Sequence, residues 1–140
     1  MDESEFNPVK IVIVEDNPAL SEIYKTRLEL IGYKCFVAMD GEAALAVIER
    51  ERPALVLLDL MIPKIAGGDV LRTMRSQEWG KSIRVYVISN LNESEAPADL
   101  RDLGIEGYTI KANMSDDDID NLVERILTPP DQEEDISLEV

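Results

Sequence analysis

The sequence predicts an α/β fold, a doubly wound five-stranded parallel sheet with helices on both faces. Two observations predict it. Five short apolar runs alternate along the chain with five segments of helical periodicity. Glycines and prolines, among them Gly32, Pro53, Pro63, Pro97 and Gly104, punctuate the boundaries between them. Charged and polar residues also close several of the apolar runs, and open parallel sheets bind their ligands beyond those strand ends.

Val9 to Val14 is rich in β-branched residues and stops at Glu15-Asp16, which marks a first strand. Asn17 is placed to cap a helix with Pro18 at its first position. Leu20, Ile23, Tyr24, Leu28 and Ile31 then recur at helical spacing until Gly32. Tyr33 to Ala38 reads as the second strand, and Asp40 caps a second helix through Arg50. Pro53 opens the third strand, since the residue before a proline disfavours helix. Leu55 to Leu58 is a continuous apolar run, which suits a strand buried on both faces, and Asp59 ends it. Pro63 stops any continuation, and Gly67-Gly68 turns into a third helix carrying Val70, Leu71 and Met74.

Ile83 to Ile88 forms the fourth strand, closed by Ser89. A fourth helix is expected from a Ser94 cap to Gly104, with Pro97 in its first turn, where a missing N–H is tolerated. Ile105 to Ile110 is the fifth strand and ends at Lys111. Ser115 and Asp118 resemble a capping box for a fifth helix through Leu127. One domain is therefore expected over residues 9–127, after an acidic extension at 1–8 and before an acidic, disordered tail at 128–140.

The net charge of −15 divides unevenly. Asp2, Glu3, Glu5, Asp131, Glu133, Glu134, Asp135 and Glu139 lie in the two ends without a single Lys or Arg, which leaves −7 for residues 8–127. That sign argues against binding to nucleic-acid phosphates or anionic membranes. No apolar run is long enough for a transmembrane helix or signal peptide, so a cytoplasmic protein is the expectation. There is no histidine, and Cys35 is the only cysteine. Internal disulfides, histidine metal sites and Ser-His or Cys-His nucleophiles are thereby excluded. Neither a G-x-x-x-x-G-K-[ST] loop nor a G-x-G-x-x-G turn is present to cradle a nucleotide.

Glu15, Asp16 and Asp59 would crowd at neighbouring strand ends, and Mg²⁺ is the cation such hard oxygen donors suit. Ser89 offers a hydroxyl and Lys111 an ammonium at the next strand ends. Together these groups could position and neutralise a phosphoryl group while Asp59 attacks it. Taken singly, each has a plainer role: a solvated aspartate at a strand end, an acid pair at a helix N-terminus, a turn serine, a surface lysine.

In this order and spacing the chain resembles a response-regulator receiver domain of two-component signalling. The resemblance covers about residues 9–127 and rests on Glu15-Asp16, Asp59 with Pro63 and Gly67, Ser89, and Tyr108 with Lys111. It implies a flavodoxin-like (β/α)5 sheet with strand order 2-1-3-4-5. It implies Asp59 as acceptor of a phosphoryl group from a sensor histidine kinase or histidine phosphotransfer protein. Mg²⁺ would be held by Asp16, Asp59 and the Met61 carbonyl, with Glu15 helping through water. Ser89 and Lys111 would hold phosphoryl oxygens. Ser89 and Tyr108 would form a switch toward a downstream protein that binds at the fourth helix, fifth strand and fifth helix. A monomer or weak dimer without turnover of external substrates is expected.

Three departures from the family pattern stand out. Ala112 follows Lys111 where the family usually has a proline, commonly in a cis bond, and a cis Lys-Ala bond would cost about 3–4 kcal/mol, so the loop is expected to differ. Asn90 follows Ser89 where a very small residue is usual. Met61 and Leu91, at positions that influence attacking water in this family, are apolar here. Two rival readings follow: a receiver that binds partners without phosphorylation, suggested by Ala112 and Asn90, and a Mg²⁺-dependent aspartate phosphatase. The phosphatase would need a carboxylate two residues after Asp59, where Met61 stands.

Overall fold

A computed structural model describes residues 7–128. Strands β1 (Lys10–Val14), β2 (Lys34–Ala38), β3 (Leu55–Leu58), β4 (Arg84–Ser89) and β5 (Gly107–Ile110) form one parallel sheet in the order β2-β1-β3-β4-β5. The expected strand order is thus observed. β3 lies at the centre between β1 and β4, and the apolar runs of β1 and β3 are buried almost completely. Successive side chains in a strand point to opposite faces, so each run feeds two cores. Val12, Val14, Val56, Leu58, Val85 and Val87 meet Ala44, Ile48, Val70, Leu71 and Met74. Ile11, Ile13, Leu55, Leu57 and Ile88 meet Tyr24, Leu28, Ile119, Leu122 and Val123.

Those partners lie on α1 (Pro18–Leu30) and α4 (Asp118–Leu127) on one face and on α2 (Gly41–Glu51) and α3 (Gly67–Ser76) on the other. The Asn17 side chain accepts from the Leu20 N–H at 3.1 Å and Asp40 from the Ala43 N–H at 2.8 Å, so both expected caps form. Gly32 takes a φ of 107°, which ends the chain's helical course after α1. None of the helices among the described residues is long and apolar enough to cross a membrane.

The expected fourth helix is absent. Residues 90–106 instead carry two short 3-10 turns, Glu93–Glu95 and Arg101–Leu103. Pro97 forces its predecessor out of the helical region, and Ala96 is extended at φ −72°, ψ 163°. A helix capped at Ser94 would need Ala96 helical, so only the few residues between Pro97 and Gly104 remain. Arg72 on α3 then takes Asp99 in two hydrogen bonds of 2.7 and 2.8 Å, which anchors the segment by its side chain. Gly104, at φ 78°, still terminates it as expected.

The fifth predicted helix is α4, and only half of its capping box forms. The Ser115 N–H donates to Asp118 Oδ2 at 2.8 Å, while the Ser115 hydroxyl turns to Asp117 and the helix starts at Asp118. Most of the expected extension at 1–8 and tail at 128–140 lies outside the described residues.

Candidate functional site

Parallel pairing aligns the carboxyl ends of the strands. Val14 is in register with Leu58, and the Asp59 N–H donates to the Val14 carbonyl at 3.1 Å, so Glu15 and Asp59 leave the sheet side by side. Ser89 is in register with Ile110, the residue before Lys111. The sheet order reverses direction between β1 and β3, where a crevice opens in such folds.

Glu15 and Asp59 are 3% and 4% exposed, and Asp16 is exposed. Carboxylates so deeply buried require partners. Lys111 Nζ supplies one to both, at 2.6 Å from Asp59 Oδ2 and 2.7 Å from Glu15 Oε1. The remaining oxygens accept backbone N–H groups, Asp59 Oδ1 from Met61 at 2.9 Å and Glu15 Oε2 from Asn17 at 2.9 Å. Burial alone would lower the Lys111 pKa, but the hydrogen bonds and charges of Asp59 and Glu15 outweigh it and raise the value above 10.5.

Glu15, Asp16 and Asp59 each offer a carboxylate oxygen within 4.8 Å of the others. The charges of the three acids and Lys111 sum to −2, and the donors are all hard oxygens, which suits a divalent cation such as Mg²⁺. Met61 contributes its N–H to Asp59, and the residue is 58% exposed.

Ser89 is fully buried, and its hydroxyl accepts from the Leu91 N–H at 3.3 Å. The Tyr108 hydroxyl donates to the carbonyl of the same residue, Leu91. Burial raises the Tyr108 pKa, and the negative charges of Glu93 and Asp59 add to it. The Lys111-Ala112 bond is trans, like every peptide bond among the described residues, and the Ala112 N–H donates to Asn90 Oδ1 at 2.9 Å.

The structure therefore brings Glu15, Asp16, Asp59 and Lys111 together, with Ser89 and Tyr108 joined through Leu91. Sequence reasoning paired Lys111 with Asp59 and missed its equal contact with Glu15, because that contact spans two intervening strands. It also missed the bond between Asn90 and Ala112, although both residues stood out as departures.

Residues 11–126 match the family described as the response regulator receiver domain. Among curated relatives, the probable transcriptional regulator ycf27 of Cyanophora paradoxa is 35% identical over 107 residues, which are 76% of this chain and 44% of that protein. The DNA-binding dual master transcriptional regulator RpaA of Synechocystis sp. is 32% identical over 102 residues, 73% of this chain and 42% of that one. The chain thus spans less than half the length of these relatives. Among solved structures, the phosphorylated cyanobacterial phytochrome response regulator RcpA superposes with a TM-score of 0.77 at 30% identity, over 87% of this chain and 96% of that one. The chemotaxis response regulator CheY4 of Vibrio cholerae shares the fold, with a TM-score of 0.77 at 21% identity over 86% of this chain and 100% of its own. Sheet order, the acidic crevice and the sequence match converge, and the chain belongs to the response regulator receiver domain family of two-component signalling.

Proposed function

We propose that this receiver accepts a phosphoryl group on Asp59 from the phosphohistidine of a sensor kinase or histidine phosphotransfer protein, and that the modification switches binding of a downstream protein. The observation that carries this reading is the Lys111 ammonium lodged between the buried carboxylates of Asp59 and Glu15. An oxygen of Asp59 attacks the phosphorus in line. The new P–O bond forms as the P–N bond to the histidine breaks, and that electron pair stays on the imidazole nitrogen.

Lys111 exchanges its contact with Asp59 for a phosphoryl oxygen, and the Ser89 hydroxyl donates to another. Asp16, Asp59 and the Met61 carbonyl would hold Mg²⁺, with Glu15 acting through water. The ion, when bound, neutralises charge shared by the carboxylates and the phosphoryl group.

Ser89 then withdraws from the Leu91 N–H, while Tyr108 holds the Leu91 carbonyl. One peptide-bearing residue thereby links the phosphoryl site to the surface formed by residues 93–103, β5 and α4. A small acyl phosphate with Mg²⁺ should give one phosphoryl adduct by intact mass, abolished by chelator and by Asp59→Asn. Labelling that survives Asp59→Asn would overturn the assignment, and steady release of phosphate without adduct would favour a phosphatase.

A further inference from the structure

We infer that Asn90 is a positioning residue for Lys111, acting through the N–H of Ala112; this inference rests on the phosphoacceptor reading of Asp59. β4 and β5 remain paired up to Ser89 and Ile110. The ladder ends at that rung, and beyond it the Asn90 side chain bridges the two segments, its Oδ1 accepting the Ala112 N–H at 2.9 Å. Ala112 lies in the 3-10 turn Lys111–Asn113, whose first N–H groups find no acceptor inside the turn itself. The Met114 N–H closes the other end on the Lys111 carbonyl at 3.1 Å.

The peptide unit that follows Lys111 is thus held at both its N–H and its carbonyl. The flexible Lys111 side chain reaches back from that fixed point to Asp59 and Glu15 at 2.6 and 2.7 Å. Ser89 and Lys111, the two residues that would grip phosphoryl oxygens, are fastened to each other through the residues that follow them. Fixing the root of the lysine beforehand lowers what must be ordered when the phosphoryl group arrives.

The bond has two chemical requirements, an acceptor at 90 and an N–H at 112. A proline at 112 could not make it, because proline carries no N–H. Asn90 and Ala112 are therefore one device.

The test compares Asn90→Ala, Asn90→Asp, Ala112→Pro and the Asn90→Ala/Ala112→Pro double variant in the full chain. Two readouts are used: the Ala112 amide followed by NMR in the unphosphorylated protein, and the rate of phosphoryl uptake from acetyl phosphate across a Mg²⁺ titration. Loss of one hydrogen bond from a positioned group should slow maximal uptake about three- to tenfold in Asn90→Ala. The half-saturating Mg²⁺ concentration should stay unchanged. The double variant should be no slower than the slower single variant, since both changes remove one bond. Asn90→Asp keeps the acceptor and should keep the Ala112 amide in its wild-type environment, which Asn90→Ala should lose.

Wild-type uptake rates in Asn90→Ala, single effects that multiply in the double variant, or an Ala112 amide indifferent to Asn90 would each overturn the inference. An Ala112 amide that depends on Asn90 in a wild-type protein that takes up no phosphoryl group would identify the phosphoacceptor reading as the failure, and the inference would fall with it.

Discussion

The ammonium of Lys111 lies 2.6 Å from Oδ2 of Asp59, a residue only 4% exposed. The same ammonium is the sole side-chain cation on the neighbouring buried acid, Glu15, among the described residues. Replacement by methionine leaves two buried carboxylates side by side without a counter-ion. Removing one partner from a buried ion pair destabilises on the order of 3 kcal/mol. Lys111→Met should therefore lower the urea midpoint, and millimolar Mg²⁺ should restore a larger share of stability to the variant than it adds to the wild type. Equal Mg²⁺ responses would show that the acids do not depend on Lys111.

Gly67 sits beneath the loop that leaves Asp59. A Cβ there would stand 2.4 Å from the Asp59 carbonyl oxygen and 2.6 Å from Leu60 Cα, both backbone atoms that cannot yield cheaply. Gly67→Ala should destabilise by about 1–3 kcal/mol and slow phosphoryl uptake, since the displaced atoms include the backbone of the acceptor itself. Thermal unfolding and acyl-phosphate labelling check the two effects together. A variant with wild-type stability and labelling would mean that the loop has room this geometry denies.

Alkaline pH should expose a second buried group. Burial, with Glu29 adding to it, pushes the Cys35 thiol up to about 12 from 9.0. The folded value exceeds the unfolded one, so the thiol's contribution to stability is complete below pH 9.0 and is lost as pH rises through about 12. Lys111 has the same sign, but its loss begins only above 10.5. Denaturant midpoints should thus fall from pH 9.0 upward, and Cys35→Ala should make that fall shallower just above 9.0 even though it lowers stability at neutral pH. An unchanged slope in Cys35→Ala would contradict the assignment.

Met61 and Leu91 follow Asp59 and Ser89 by two residues, and their apolar side chains can offer an attacking water no hydrogen bond. The phosphorylated form should accordingly persist, and Met61→Asn should shorten its lifetime about three- to tenfold by giving water a hydrogen-bonding partner. Time-resolved loss of the adduct from purified protein measures it. Loss from the wild type within seconds would refute the idea.

The acidic crevice was legible in the sequence because a parallel sheet gathers strand ends on one edge, so polar residues closing separate apolar runs must meet there. Asn17 and Asp40 were legible as caps because a cap is decided within four residues. The missing fourth helix was not. Its failure depends on the influence of Pro97 on Ala96 and on the grip of Arg72 upon Asp99, a contact across 27 positions of chain. The bond from Lys111 to Glu15 was hidden for a similar reason. It depends on how far a lysine can reach across the end of a twisted sheet, which spacing along the chain does not encode.

Asp59 as the carrier of the phosphoryl group is open to direct chemical test. Borohydride reduces an aspartyl phosphate to homoserine, so treatment of the labelled protein followed by peptide sequencing locates the modified residue. Homoserine should appear at position 59 alone, and none without Mg²⁺. Homoserine at any other aspartate, or a stable adduct on a serine or lysine, would contradict that assignment.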